Sequence, residues 1–358
     1  MTEAAAGGFD CPMRVMVTGG TGFLGSHAVK ALTDAGHDVR LLVRSPARIA
    51  PALAPHGLDH VDHVVGDVTD VASVERALEG CDAVLHAANV YTLDPRRAEE
   101  MRDVNPRGTA NVLRAAHERG ADPIVHVSSN AALMPSPDRP LTPESPLGDP
   151  PGAYSQSKVE AERIARGLQS EGAPVVIVNP VGLLGPHDPH LGDFTAVARD
   201  VLRGRLPFVV AGTTPMVDVR DVATVTAALM EPGRGPRRYM ASGGYVTMRD
   251  FAIEASRVTG RRIPAVALPG RPMLAVGRGA DWIQRRLGVR LPLNYEGPWF
   301  MVYGAKVDVS ATERDLGVRF RAPAETLADT YRWLCDAGLV SRRRAGALAS
   351  GSQSLTGP

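Results

Sequence analysis

Short apolar runs rich in Val, Leu and Ile recur near residues 13–18, 38–43, 60–65, 82–86, 123–128 and 174–179. Continuous runs of this length predict strands buried on both faces. Between them, Gly22–Ala35, Val71–Glu79, Arg97–Arg119 and Tyr154–Glu171 repeat apolar residues at a spacing near 3.6, which predicts amphipathic helices. Alternation of the two predicts an α/β fold with a doubly wound parallel sheet. The Pro- and Ser-rich stretch 135–151 reads as a loop. After Asn179-Pro180-Val181-Gly182 the pattern loosens and Gly, Pro and Arg become frequent. We therefore expect a core over 12–186, then a smaller, discontinuous C-terminal substrate-binding region over 187–340 that returns to the core near 216–243. The lead 1–11 reads as flexible, and the tail 341–358 has too little apolar content to pack and is expected to be disordered.

The first run passes into the first helix through Thr18-Gly19-Gly20-Thr21-Gly22-Phe23-Leu24-Gly25. Gly19 must turn, Gly22 lets backbone approach a pyrophosphate, and Gly25 lets helix and strand pack closely. Amides at the helix start, from Thr21, Phe23 and Leu24, are then free to bind phosphate. This is the pattern of a Rossmann dinucleotide site. The end of the second strand bears on which dinucleotide. A carboxylate there would chelate the ribose hydroxyls of NAD, but Val43 and Arg44 occupy the position and Asp38 lies at the opposite end. Arg44, assisted by Arg48, suits a 2′-phosphate, so NADP is expected, with NAD as the alternative.

Tyr154 and Lys158 are four residues apart and share one helix face, downstream of a strand ending in Ser128-Ser129. Hydride transfer to a carbonyl leaves an alkoxide that needs a proton. A tyrosine whose pKa is drawn down by a nearby ammonium supplies it, so Tyr154 reads as the acid/base and Lys158 as its tuner.

Taken together, these motifs resemble the extended short-chain dehydrogenase/reductases, and within them the dihydroflavonol-reductase-like and 3β-hydroxysteroid-dehydrogenase-like oxidoreductases. The resemblance spans about residues 13–335. It implies that Lys158 also bonds the nicotinamide ribose and that Ser129 polarises the substrate oxygen, with Ser128 as the alternative. It further implies that Asn105 completes a proton relay, although a helix-start cap is an equal reading. Asp67 and Val68 would border the adenine, Ala87 and Ala88 would lie against a cofactor sugar, and Pro180 and Gly182 would also bind the cofactor. His86 is read as a structural residue. Asp221, in the stretch resembling the family's return to the core, has a helix N-cap as its bland alternative. The family pairs the helices carrying Asn105 and Tyr154 across a two-fold axis, which implies a homodimer.

Composition narrows the classes. The chain has 358 residues, 44% hydrophobic, with 40 basic against 39 acidic residues. A net charge of +1 provides no field for nucleic acid. Cys11, Cys81 and Cys335 show no metal spacing, and no apolar stretch is long enough for a membrane span. No signal pattern precedes Cys11, so a cytoplasmic protein is expected. The leading reading is an NADP-dependent carbonyl reductase or alcohol dehydrogenase acting on a hydrophobic small molecule. Two alternatives stand beside it: a nucleotide-sugar epimerase or dehydratase, for which Arg199, Arg203 and Arg205 would serve a diphosphate, and a non-catalytic NADP sensor.

Overall fold

Val, Ile and Leu fill the central strands because helices cover both faces of the sheet, leaving no solvated side to alternate toward. The structure, a computed structural model, describes residues 12–289, 291 and 294–351. The expected lead at 1–11, with Cys11, lies outside the described residues, as does 352–358 of the expected tail. In the first half the strands are β1 (Arg14–Thr18), β2 (Asp38–Val43), β3 (Asp62–Val65), β4 (Ala83–His86), β5 (Ile124–Val127) and β6 (Val175–Pro180). Those that follow are β7 (Gly182–Leu184), β8 (Phe208–Val210), β9 (Thr213–Asp218), β10 (Arg237–Ala241), β11 (Gly244–Thr247) and β12 (Val266–Leu268). The helices begin with α1 (Phe23–Asp34), α2 (Ile49–Leu53), α3 (Val71–Leu78), α4 (Ala98–Glu118), α5 (Ala153–Ser170), α6 (Asp193–Leu202) and α7 (Val219–Ala228). They continue with α8 (Met248–Thr259), α9 (Gly270–Leu287), α10 (Glu296–Val302), α11 (Ser310–Leu316), α12 (Pro323–Asp336), α13 (Arg342–Ala345) and α14 (Leu348–Gly351).

Seven strands form one parallel sheet in the order β3-β2-β1-β4-β5-β6-β10. The order reverses between β1 and β4, and in such sheets ligands bind at the strand ends beside the reversal. Val15, Val17, Ala28, Val29, Val222 and Val225 fill the face under α1 and α7, while Met16, Val84, Leu113 and Ala165 fill the face under α3, α4 and α5. All six expected strands and four expected helices are present. β3 begins at Asp62 rather than 60, and α4 at Ala98 rather than Arg97.

The C-terminal region has its own core, built around Phe251, Leu327 and Tyr331. Of the expected return near 216–243, β9 joins a small sheet with β7 and β11, whereas α7 packs on α1 and β10 completes the main sheet. The 135–151 loop is pinned at fully buried Leu141, whose N–H donates to the Lys306 carbonyl at 2.7 Å. One expectation is corrected. From Ser341 the chain is ordered as α13 and α14, with Ala345 buried, Arg261 donating to the Arg344 carbonyl at 2.6 Å and Ala347 N–H donating to the Thr259 carbonyl at 2.9 Å. Backbone groups and one alanine make these contacts, so the low apolar content of the segment concealed them. Among the described residues, no helix is long and apolar enough to cross a membrane.

Candidate active site

At the β1–α1 junction each glycine meets a different constraint. Gly19 has φ +74, and a Cβ there would lie 2.7 Å from the backbone of Ala87 and Ala88. A Cβ on Gly25 would overlap the Gly19 carbonyl. Gly22 is the N-cap of α1 and makes no side-chain cap bond, so the first amides of the helix have no side-chain acceptor of their own. A cradle that a Cβ would fill, ending in uncapped amides at the switch point of the sheet, fits a dinucleotide pyrophosphate. Thr18 holds the far wall, its hydroxyl accepting the Ala88 N–H at 3.2 Å.

Arg44 and Arg48 are both exposed beyond β2, and Val43 is buried at its end. Asp38 stands at the other end of the strand, where Arg14 pairs with it at 3.1 Å. Past β3, Asp67 accepts both the N–H and the hydroxyl of Thr69, at 2.9 and 2.8 Å. The Val68 carbonyl accepts from Asn111 at 3.0 Å. Pro180 is buried at the end of β6, and Gly182 opens β7 against the Phe194 ring.

α5 presents Tyr154, Lys158 and Glu162 one turn apart on a single face. The Tyr154 hydroxyl is hydrogen-bonded to Ser129, and the Tyr91 and Tyr154 rings meet edge-on with their centroids 4.8 Å apart. Lys158 is buried and donates to the Val127 carbonyl at 3.1 Å. Ser128 and Ser129 face different partners. The Ser128 hydroxyl donates to Glu162 at 2.6 Å, which ties it beneath the site, while Ser129 faces the phenol. Glu162 also receives Asn179 at 2.6 Å and Arg166 at 2.5 Å, and Asn179 in turn donates to the Ser129 carbonyl at 3.1 Å.

Burial pushes the Tyr154 phenol up to about 12; the Ser129 hydrogen bond opposes this and the charge of Glu296 adds to it. Burial brings the Lys158 ammonium down to about 8, against the attraction of Glu162. The protein's own groups thus raise the phenol, whereas the sequence reading expected it lowered. Desolvation outweighs the hydrogen bond from Ser129.

Several sequence readings are refined. Asn105 lies inside α4, not at its start, so it is no helix cap. Its amide donates to Ser157 at 2.9 Å and to the Val90 carbonyl at 3.1 Å, and its oxygen accepts the Val90 N–H at 2.7 Å. It therefore ties α4 to α5 and to the loop beside the cofactor cradle. Asp221 is not an N-cap either. Asp218 caps α7, and Asp221 accepts the Arg321 N–H at 2.6 Å while pairing with its guanidinium. Arg199, Arg203 and Arg205 converge on Asp200 at 3.1, 4.0 and 3.9 Å, and Arg203 also donates to the Leu339 carbonyl. His86 is bonded through both nitrogens, to Thr18 at 2.8 Å and Thr109 at 3.1 Å. Sequence reasoning missed Tyr91, Glu162 and Glu296. Glu162 was legible as the next member of the 154, 158 row, but Glu296 has no local signal.

Residues 15–241 match the NAD dependent epimerase/dehydratase family. The chain is 30% identical over 335 residues to the sterol demethylase protein B of Methylococcus capsulatus, covering 92% of this chain and 100% of that protein. It is 30% identical over 334 residues to a putative dihydroflavonol 4-reductase of Synechocystis sp., covering 90% and 95%. Among solved structures, that of gox2253 is 28% identical and superposes with a TM-score of 0.77 over 91% of this chain and 99% of the other.

Proposed function

The chain belongs to the NAD dependent epimerase/dehydratase family and is an extended short-chain dehydrogenase/reductase; on that premise we propose that it interconverts a carbonyl and a secondary alcohol of a hydrophobic small molecule with NADP(H). The observation that carries this reading is the Ser129–Tyr154 hydrogen bond beside the glycine cradle, with Lys158 on the next turn. A bound nicotinamide supplies or accepts the hydride. Ser129 holds the substrate oxygen, and Tyr154 gives that oxygen its proton or takes it back. Lys158 holds positive charge near the phenol and a hydrogen bond for the ribose, and Asn105 steadies Ser157 on the same helix. A phenol pushed up to about 12 stays protonated at neutral pH, the form that carbonyl reduction uses. Exposed Arg44 and Arg48, with no carboxylate at the end of β2, favour the 2′-phosphate of NADP. The proposal includes the homodimer implied by the family resemblance and a cytoplasmic location, which the free thiols Cys81 and Cys335 suit.

The test is NADPH consumption with a panel of hydrophobic ketones. Tyr154→Phe removes the transferable proton and little else, so turnover should fall by about 10²–10⁴-fold with NADP affinity nearly intact. Lys158→Ala should weaken both together. Retention of more than about a tenth of turnover in Tyr154→Phe would overturn the assignment. Product formed with no net change in nicotinamide absorbance would instead point to an epimerase, a reading that the attachment of Arg199, Arg203 and Arg205 to Asp200 does not favour. Tight cofactor binding without turnover would point to a sensor.

A further inference from the structure

The N-cap of α5 is Gly152, which has no side chain to accept the free amides of the first turn. Glu296, from the start of α10, takes that place. Its Oε1 accepts the Ser155 N–H at 3.0 Å and the Ser155 hydroxyl at 2.5 Å, and the Tyr154 N–H also bonds to its carboxyl. Gly152 has φ −85 and ψ 147, which any residue adopts, so glycine is there for room: a Cβ would overlap the Glu296 carboxyl. Glu296 is 6% exposed, and among the described residues no Lys, Arg or His lies within ion-pair distance of it.

We propose that Glu296 is a positioning residue that caps the catalytic helix from the substrate-binding region and sets its negative charge against the first turn, which carries Tyr154. The inference rests on the catalytic reading of Tyr154. A carboxylate at a helix N-terminus is stabilised by the helix dipole, and burial leaves its field on the neighbouring phenol weakly screened. Other charged groups face the pair from the neighbouring elements. Asp281 of α9 accepts the Tyr295 N–H at 3.3 Å with Arg285 nearby, and Arg278 lies over the Tyr295 ring at 4.7 Å. Near the start of α4, Arg96 pairs with Asp94 and Arg102 with Glu99. On the phenol side stand Ser129, Lys158 and Tyr91, whose hydroxyl bonds to Asp193. Burial is the main force raising the Tyr154 phenol and Glu296 is the charge that adds to it, while burial pushes the Glu296 carboxyl itself up. A cavity of about 600 Å³ opens beside Gly152 and Glu296, so the cap forms part of its wall.

The experiment titrates ring-¹³C tyrosine in the NADP complex by NMR, with the Tyr154 signal assigned by its loss in Tyr154→Phe. Glu296→Gln keeps an acceptor and removes the charge. The Tyr154 midpoint should fall by about one pH unit, and the pH limb of turnover should move the same way. Gly152→Ala, which displaces the carboxylate without altering Glu296, should lower the midpoint in the same direction and reduce Tm by about 2–4 °C. Ser155→Ala keeps the charge and should lower Tm with little change of midpoint. An unchanged midpoint in both Glu296→Gln and Gly152→Ala overturns the proposal. A midpoint that moves while Tyr154→Phe retains turnover upholds the cap and sinks the catalytic reading instead.

Discussion

Arg44 is the side chain on which the proposed choice between two cofactors rests. It is exposed at the end of β2 and follows buried Val43; among the described residues no carboxylate lies within ion-pair distance of its guanidinium, and its charge reaches Glu100 from further away. A phosphate paired with an exposed guanidinium gains about a tenfold preference, since screening reduces what a buried pair would give. Arg44→Ala should therefore weaken NADP binding about tenfold and leave NAD binding unchanged. Fluorescence titration of both cofactors checks this, and equal loss for the two would end the 2′-phosphate reading. The adjacent pair Ser128 and Ser129 shows the limit of reading at this scale. Both hydroxyls are legible as candidates, but only the packing of α5 against β5 turns one toward Glu162 and the other toward Tyr154.

The family resemblance pairs α4 and α5 across a two-fold axis, an arrangement that surplus small and apolar residues on their outward faces would serve. Their apolar residues instead face the sheet: Val112, Leu113, Ala116, Ala165 and Leu168 are buried in its core. The outward positions hold Arg102 with Glu99, Arg107 with Asp103, and Arg163 with Glu160, all spaced three or four apart. An interface on this face would be polar at its surface, so the expected homodimer should weaken as salt screens it. Light scattering at micromolar concentration should give a dimer at low salt and a rising monomer fraction toward about 1 M. A monomer under all conditions would remove the dimer from the proposal.

Across the whole molecule, three histidines meet where α1, the turn after α2 and the loop after β7 converge. The His27 and His56 rings are 4.4 Å apart, His56 and His187 are 5.6 Å apart, and His187 lies 6.0 Å from Trp333 of α12. The cluster thus joins the cofactor helix to the C-terminal region. Burial brings His27 down to about 4, with His56 and His187 adding repulsion and the Pro186 carbonyl and Asp218 opposing. His56 also falls to about 4, through burial, then His187 and Lys30. The folded state therefore binds these protons more weakly than the unfolded chain. Their neutral packing is fully favourable above about pH 6.5, and stability is lost as pH falls from there through about 4. Tm should drop across that window, and His56→Gln should flatten the drop. A Tm profile equally steep in the variant would show that other groups dominate, buried His86 among them, which burial brings down to about 3.

The strand runs, the glycine spacing and the 154, 158 row were legible because each is set by local geometry: the period of a helix, the burial of a parallel strand, or the turn at Gly19. Those determinants act most clearly in the first half of the chain, where strands and helices alternate. What the sequence could not show depends on which distant surfaces touch. Glu296 reaches the start of α5, Arg199, Arg203 and Arg205 gather on Asp200, and the segment after Ser341 folds back onto Thr259 and Arg261. None of these has a sequence period, because each is fixed by the packing of the C-terminal region against the core. Local chemistry thus specified the glycine cradle and the 154, 158 row, while tertiary packing decided which serine faces the phenol, what caps its helix and which buried charges surround it.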